Sequence, residues 1–235
     1  MRLDKFLSNL KYGSRKSVKE LIKSGFVTLN GKVVKTSDLE IRENYDKIAV
    51  KGKPVFYKDV IILAVHKPVD YISSHNEGDK QTVFDLIGEP YNRFDLKIAG
   101  RLDLDSHGLM ILTNDGALIN KITKPQSHLD KTYEVILDKV FNESDGLLLK
   151  EGVLLQDEDG SVFTGLAKQI EFDGTWAKIV IDQGRFHQVK KMFRKVGYQV
   201  LSLKRTKIGL LDLKLESGKY QEISIEDIFG ASYAN

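Results

Sequence analysis

Four side chains able to do chemistry lie close together in AGRLDLDSHGLMILTNDG, residues 99–116: Arg101, Asp103, Asp105 and His107. Two carboxylates at this spacing can cap a turn beside the arginine, act as an acid and base pair, or bind a metal with the histidine. Residues two apart on a strand point to the same side, which does not fit the opposed carboxyls of a glycosidase. The histidines of the chain have no metal-ligand spacing, so we expect no metal. A purely structural role of the two aspartates stays open at this point.

Two further segments carry groups that could complete a site. KTYEV places Lys131 and Tyr133 on one face of a predicted strand, where the ring could stack on a base. SLKRTKIG adds Leu203 and Arg205. GRFHQVKKMFRK places a set of basic residues on a predicted helix: Arg185, His187, Lys190, Lys191, Arg194 and Lys195. Each group alone could be an ordinary surface or core residue, but together they predict a cleft with one acid, one stacking ring and many cations.

These groups must be positioned by the elements of the chain after residue 58. GLMILT reads as a buried strand, and residues 114–116 form a turn into a helix ended by Pro125. Several other segments alternate as strands, and many are joined by hairpin signals. We therefore predict an α+β fold for residues 59–235, with a large mixed, mainly antiparallel sheet flanked by helices.

The first 58 residues read as a separate basic module. They contain 14 Lys and Arg against 6 Asp and Glu, a net charge of +8, whereas the remainder has a net charge of −5. Two short amphipathic helices are predicted, the second with Ser14 as N-cap, followed by a hairpin turned at Asn30-Gly31. KGKP, residues 51–54, reads as a flexible linker to the second domain.

The charge of this module is concentrated on the polar faces of its two helices. A solvated helix face is the alternative, but the basic bias extends over both helices and the hairpin, which favours nucleic-acid binding. The candidate RNA-binding residues are Arg2, Lys5, Lys11, Arg15, Lys16, Lys19 and Lys23.

Composition excludes several function classes. The chain has 235 residues and no cysteine, which excludes disulfides, thiolate metal sites and cysteine catalysis. Its opening MRLDKFLSNL has no apolar signal core, and no window approaches eighteen consecutive apolar residues. We therefore expect a cytoplasmic protein that does not associate with a membrane.

Two stretches carry a family resemblance. RLDKFLSNLKYGSRKSVKELIKSGFVTLNGKVV resembles an S4 domain, a small RNA-binding fold. GRLDLDSHGLMILTNDG, KTYEV and GRFHQVKKMF resemble the motifs of pseudouridine synthases, in the family's order. The S4 segment in front, AGRLD and HQVKKM together are most similar to the RsuA type, which modifies 16S rRNA of the small ribosomal subunit.

The resemblance implies a role for each matching residue. Asp103 falls on the catalytic aspartate, Tyr133 on the tyrosine that stacks on the target uracil, and Lys190 on the basic partner of the aspartate. The supporting residues it implies are Arg101, which would hold the flipped nucleotide, Leu203, which would pack on the base, and Gln188 and Arg185. Asp70 stands where a KPxG turn usually has glycine, which leaves the conformation of that loop open.

The reaction implied is the isomerisation of uridine to pseudouridine, which needs no cofactor. The expected partner is ribosomal RNA, most specifically 16S rRNA within an incomplete small-subunit particle, and the protein is expected to act as a monomer. Two alternatives remain: a pseudouridine synthase for 23S rRNA or another RNA, and a non-catalytic S4-type RNA-binding protein.

Overall fold

A computed structural model of the chain describes residues 1–75, 78 and 80–231. These residues form six α-helices: α1 Leu3–Asn9, α2 Arg15–Lys23, α3 Gly116–Thr123, α4 Glu143–Glu151, α5 Gln188–Lys195 and α6 Ile225–Phe229. Short 3-10 turns lie at Val83–Leu86, Tyr91–Arg93 and Pro125–Ser127. Within this described part of the chain, no helix has the length and apolar character needed to cross a lipid bilayer.

The described residues also form fifteen strands in three sheets. In chain order the strands are β1 Val27–Leu29, β2 Lys32–Val33, β3 Ile48–Val50, β4 Lys53–Pro54, β5 Ile62–Lys67, β6 Lys97–Ala99, β7 His107–Thr113, β8 Lys131–Leu137, β9 Val153–Gln156, β10 Val162–Gly165, β11 Gln169–Asp173, β12 Trp176–Ile181, β13 Val200–Ile208, β14 Leu211–Asp212 and β15 Tyr220–Glu222.

The chain divides into two compact units. The first comprises Met1–Ile61 and the return segment Ile87–Leu96, and the second comprises Ile62–Leu86 and the chain from Lys97 onward. The first unit contains α1, α2 and a four-stranded sheet in the order β2-β1-β3-β4. The return segment is fixed to it by the Lys11 ammonium, which donates to the carbonyls of Asn92 (3.0 Å) and Phe94 (3.1 Å).

Local signals in the first unit are confirmed. The Ser14 hydroxyl accepts a hydrogen bond from the backbone N–H of Ser17 at 3.2 Å, which makes it the N-cap of α2. Asn30 and Gly31 have φ values of 51° and 81°, so both are left-handed, as a type I′ turn between β1 and β2 requires.

The prediction that KGKP is a flexible linker is wrong. β3 and β4 pair antiparallel, with Val50 opposite Lys53. Lys51 and Gly52 between them have φ values of 49° and 77°, the left-handed pair of a two-residue hairpin turn. KGKP therefore closes a hairpin within the sheet of the first unit, because Lys51 adopts the left-handed conformation that Gly52 also has.

The second unit is built on a nine-stranded sheet. Its main path runs β11-β12-β8-β13-β7-β5-β15, with β14 paired to β13 and β6 to β7. The β13–β7 pair is parallel, and the other strand pairs described in this sheet are antiparallel. The sequence prediction of an α+β fold with a mixed, mainly antiparallel sheet is therefore confirmed.

The centre of this sheet is buried on both faces. β5 is buried along its length and β7 beyond its first residue, so both read as continuous apolar runs. On one face, Ile62 and Leu109 belong to a core cluster that also contains Leu118 of α3 and Ile228 of α6. This packing fixes the position of β5 and β7, and the loop that precedes β7 carries candidate site residues.

Candidate active site

A cavity of about 690 Å³ lies over the central strands of the second unit. Its volume is within the range of small-molecule sites, about 300–1,000 Å³. Most of the predicted site residues of this unit line it: Arg101, Asp103, Tyr133, Arg185, Gln188 and Leu203. Lys190, the seventh, reaches the cavity through its contact with Asp103. The fold thus brings together segments that are up to 102 positions apart in the chain, from Arg101 to Leu203.

The floor of the cavity is set by strand register. Tyr133 on β8 lies opposite Arg205 on β13 and opposite Ile179 on β12. Because side chains alternate along a strand, Leu203 shares the face of Arg205 and of Tyr133. The phenol ring and the leucine are both buried, at 6% exposed each. The floor can therefore accept a flat ring against an aromatic and an aliphatic surface.

The Asp103 carboxylate lies between two basic side chains. Lys190 Nζ is 2.9 Å from its Oδ2, and His187 Nε2 is 3.0 Å from its Oδ1. The aspartate side chain is 25% exposed, so it lines the cavity without being fully solvated. The family resemblance implied the lysine contact, whereas His187 was predicted only as one of the basic residues of the cleft, with no contact to Asp103.

Lys190 bridges two carboxylates, because its Nζ also lies 2.5 Å from Asp105 Oδ1. Burial lowers the pKa of Lys190, but its hydrogen bonds to Asp105 and Asp103 and the charges of these two carboxylates together place that pKa above its ordinary value. Burial likewise raises the pKa of Asp105, but the hydrogen bond and charge of Lys190 and the hydrogen bond from Ser106 together lower that pKa below its usual range. The lysine is therefore held in its charged form beside Asp103.

α5 begins later than predicted. His187 is its N-cap and has a φ of 53°, a left-handed conformation that does not continue a helix backwards. The prediction that Arg185 and His187 lie on the helix is therefore wrong, and both precede it. This bend turns the His187 ring toward Asp103, while Lys190 reaches the same carboxylate from the first turn of α5.

Arg185 and Gln188 stabilise the bend before α5. The Gln188 amide oxygen accepts a hydrogen bond from the backbone N–H of Arg185 at 3.1 Å. The Arg185 guanidinium donates to Asp157 at 3.2 Å and lies 4.6 Å from the ring centroid of Phe163. Gln188 thus supports the loop, while Arg185 also ties it to the neighbouring β9–β10 hairpin.

Lys67 stabilises the loop that carries Asp103 through hydrogen bonds to backbone carbonyls. Its fully buried ammonium donates to the carbonyls of Pro68 (2.7 Å) and Ser106 (2.8 Å) and lies 3.5 Å from that of Leu104. Burial lowers the pKa of Lys67 to about 8, although the charges of Asp103 and Asp105 oppose the shift. Sequence reasoning missed this group because a lysine is ordinarily a surface residue.

Asp70 supports the same loop through its backbone. Its N–H donates to the carbonyl of Leu104 at 2.8 Å. Its φ is 64°, in the left-handed region where glycine is most at home and where aspartate is tolerated. The loop therefore keeps the conformation that a glycine would favour at this position.

The predicted RNA-binding residues of the first unit differ in their surroundings. Arg2 forms a two-bond pair with Asp4, which Lys19 also approaches at 3.9 Å, and Lys23 pairs with Glu20 at 3.7 Å. Lys11 is bonded to the return segment, as described above. Lys5, Arg15 and Lys16 are exposed and form no ion pair with any described residue. These three are the cations most accessible to a phosphate.

No group of three or more His, Asp or Glu side chains within residues 1–75, 78 and 80–231 has an arrangement that could hold a metal ion.

Comparison with known proteins identifies the family that the chain resembles. The sequence pattern described as RNA pseudouridylate synthase matches residues 61–195, and that of the S4 domain matches residues 1–45. RNA pseudouridine synthase YtzG of Bacillus subtilis, described as uncharacterized, is 38% identical, with 97% of each chain covered. Ribosomal small subunit pseudouridine synthase A of Pasteurella multocida is 35% identical, covering 97% of this chain and 98% of its own.

A solved structure described as a pseudouridylate synthase has the same fold. It superposes with a TM-score of 0.66 at 31% identity, covering 97% of this chain and 98% of its own. Full-length similarity at this identity, together with the two matched patterns, shows the family. The chain therefore belongs to the RNA pseudouridylate synthases, a family of isomerases, and carries an S4 domain before its synthase domain.

Proposed function

We propose that this enzyme isomerises one uridine of small-subunit (16S) ribosomal RNA to pseudouridine, with Asp103 as its catalytic group. The RNA target is supported by relatives named ribosomal small subunit pseudouridine synthase A, at 34–35% identity over nearly the full chain. The S4 domain and the exposed cations of the first unit support binding to ribosomal RNA.

One observation carries the assignment of Asp103. It is a carboxylate that lines the cavity, contacts Lys190 and shares the cavity with Tyr133 and Leu203. The reaction breaks the N1–C1′ bond of uridine and forms a C5–C1′ bond, with no net oxidation or hydrolysis. A positioned carboxylate can serve as nucleophile or base in such a step, and a ring and an aliphatic surface can retain the detached uracil.

The target base must leave its stack to reach the cavity. Extrusion of a base costs a few kcal/mol. Stacking on Tyr133, at about 1–3 kcal/mol, and phosphate contacts by Arg101 at the rim would offset that cost. The cavity and its exposed arginine therefore suit a flipped nucleotide.

The test is release of tritium from small-subunit RNA labelled at uridine C5, prepared from cells that lack the gene. Asp103→Asn should lower the rate at least about 1,000-fold, as loss of a catalytic group does, with RNA affinity unchanged within a few-fold. Asp105→Asn is the matched control: it removes a carboxylate from the same lysine but not from the cavity, and should retain most activity. Wild-type turnover by Asp103→Asn would refute the role of Asp103.

A second candidate is the same reaction on another RNA, because the 38% identical Bacillus subtilis relative has no target RNA in its name. Mapping of pseudouridines in ribosomal and other RNAs, with and without the gene, separates the two. Activity on an incomplete small-subunit particle, as a monomer in the cytoplasm, stays a prediction.

A further inference from the structure

Two buried cations on the cavity floor have no part in the proposed mechanism so far. Lys131 is 5% exposed and Arg205 is 3% exposed. Lys131 donates to the carbonyl of Leu129 at 2.8 Å, and Arg205 donates to those of Leu109 (2.7 Å) and Gly100 (2.8 Å). Neither forms an ion pair with a carboxylate of the described residues. Two positive charges are thus buried here with carbonyls as their only described hydrogen-bond partners.

The two carboxylates whose charges favour the protonated Lys131 are engaged elsewhere. Asp130 pairs with Lys168 at 2.6 Å, and Asp182 with His128 at 2.9 Å. Burial, followed by the charge of Arg205, lowers the pKa of Lys131 to about 8. Buried charge without a counter-ion is unfavourable, so an anion that entered the cavity would be stabilised beside this pair.

The position of the pair indicates which anion. Both cations line the cavity, and strand alternation places Lys131 on the same face of β8 as Tyr133, which lies opposite Arg205. They therefore border the flat-ring site on the floor. Arg101 is exposed at the rim, where a phosphate would remain partly solvated. The buried pair is better placed for the base than for the backbone of the RNA.

Uridine isomerisation produces an anion at this place. When the N1–C1′ bond breaks, its electron pair leaves with the uracil, whose negative charge is shared among N1, O2 and O4. The ring then turns, C5 bonds to C1′ and loses its hydrogen as a proton, and N1 takes up a proton. The atoms and charges of substrate and product are the same.

We propose that Lys131 and Arg205 form a subsite that holds the negatively charged uracil between bond breakage and bond formation. This inference rests on the proposed function, and it adds a specific group for the detached base to the carboxylate and the ring. A preorganised donor of this kind acts on the reacting state and not on the affinity for RNA.

The test uses the full-length protein with Lys131→Gln, which removes the charge, and Lys131→Arg, which keeps it. Lys204→Gln is the matched control, since it removes a lysine from the opposite face of β13. Single-turnover tritium release should fall about 100-fold in Lys131→Gln, the loss typical of one such donor, and less than about 10-fold in Lys131→Arg. Lys204→Gln should be unchanged. Thermal unfolding checks each variant, and Lys131→Met replaces Lys131→Gln if the latter does not fold.

A second measurement distinguishes contact of the pair with the base from contact with a phosphate. A short RNA that spans the mapped uridine is compared with the same RNA carrying an abasic ribose at that position. Lys131→Gln should bind the abasic RNA as the wild type does. Equal loss of affinity for both RNAs, with unchanged turnover of bound RNA, would assign the pair to a phosphate and overturn the proposal.

Full activity of Lys131→Gln would overturn it as well. Absence of tritium release by the wild-type protein would instead contradict the proposed function, so the two failures are distinguishable.

Discussion

The cations of the first unit and those of the cavity carry the same charge in opposite surroundings. Lys5 and Lys16 are exposed and form no ion pair with a described residue, whereas Lys67 and Lys131 are buried against carbonyls and Lys190 bridges two carboxylates. An exposed ammonium is available to phosphates, and salt screens it. A buried ammonium orients the atoms around it and is costly to leave unpaired. We therefore propose that burial, and not charge, distinguishes the lysines that attach RNA from those that act in the cavity.

Among the cations, the largest effect is expected at Lys190. Lys190→Met removes the ammonium that contacts Asp103 and Asp105, leaving His187 as the other described basic contact of Asp103. We expect single-turnover tritium release to fall about 100- to 1,000-fold, because preorganised charge beside the proposed catalytic carboxylate is lost. RNA affinity should change less than about threefold.

Lys195→Met is the matched control for that variant. Lys195 is at the exposed end of the same helix, outside the cavity. Equal losses of tritium release in the two variants would show that α5 contributes charge for RNA binding alone. The proposed difference between lysines at the cavity and exposed lysines would then be wrong.

Lys67 should show its burial as a pH dependence of stability. Its pKa is about 8 in the folded protein, against 10.5 for the ordinary side chain. Between these values the unfolded chain binds more protons, so the stability contributed by Lys67 rises with pH across this window and is lost as pH falls through about 8. Relative to Lys67→Met, we expect the wild type to gain up to about 3 kcal/mol in free energy of unfolding from pH 8 to 10.5.

Urea unfolding at several pH values measures that difference. Lys5→Met provides the comparison, because an exposed ammonium is solvated in the folded and unfolded states alike. If the difference in free energy of unfolding between wild type and Lys67→Met did not change between pH 8 and 10.5, burial would not lower the pKa of Lys67, and this prediction would be wrong.

A smaller effect is expected from the exposed cations. Replacement of Lys5, Arg15 and Lys16 by alanine should weaken RNA binding about 10-fold at moderate salt and reduce the salt slope by up to roughly 0.7 for each phosphate that is no longer neutralised. Turnover of bound RNA should stay unchanged, because none of the three belongs to the unit that holds the cavity. Affinity measured across a salt series tests this, with Lys178→Ala in the second unit as control. An unchanged slope would contradict the assignment.

The sequence predicted those features that depend on near neighbours. Ser14 as a helix cap and Asn30-Gly31 as a hairpin turn follow from interactions within a few residues. The same reasoning failed at Lys51-Gly52, where a left-handed lysine closes a hairpin that looks like a linker by composition. Local chemistry identifies a turn, but only the pairing of β3 with β4 distinguishes it from a hinge.

The sequence predicted the motifs of the site more completely than the spatial arrangement of their side chains. Asp103 and Lys190 meet as the family resemblance implies. His187 reaches the same carboxylate because of a left-handed N-cap, which a helical pattern conceals. Lys67 and Lys131 were not predicted as buried, since burial of a lysine depends on carbonyls supplied by the fold. The one signal available was that Lys131 shares a strand face with Tyr133.

Gly108 sets a limit on how this protein can vary. It has a φ of 112° and lies opposite Arg205 in the parallel β13–β7 pair, where a β-carbon would come within 2.3 Å of the Arg205 carbonyl oxygen. Even alanine would have to separate the two strands. In a saturation library selected for folded protein, glycine should be the sole survivor at position 108, however freely the neighbouring surface diversifies.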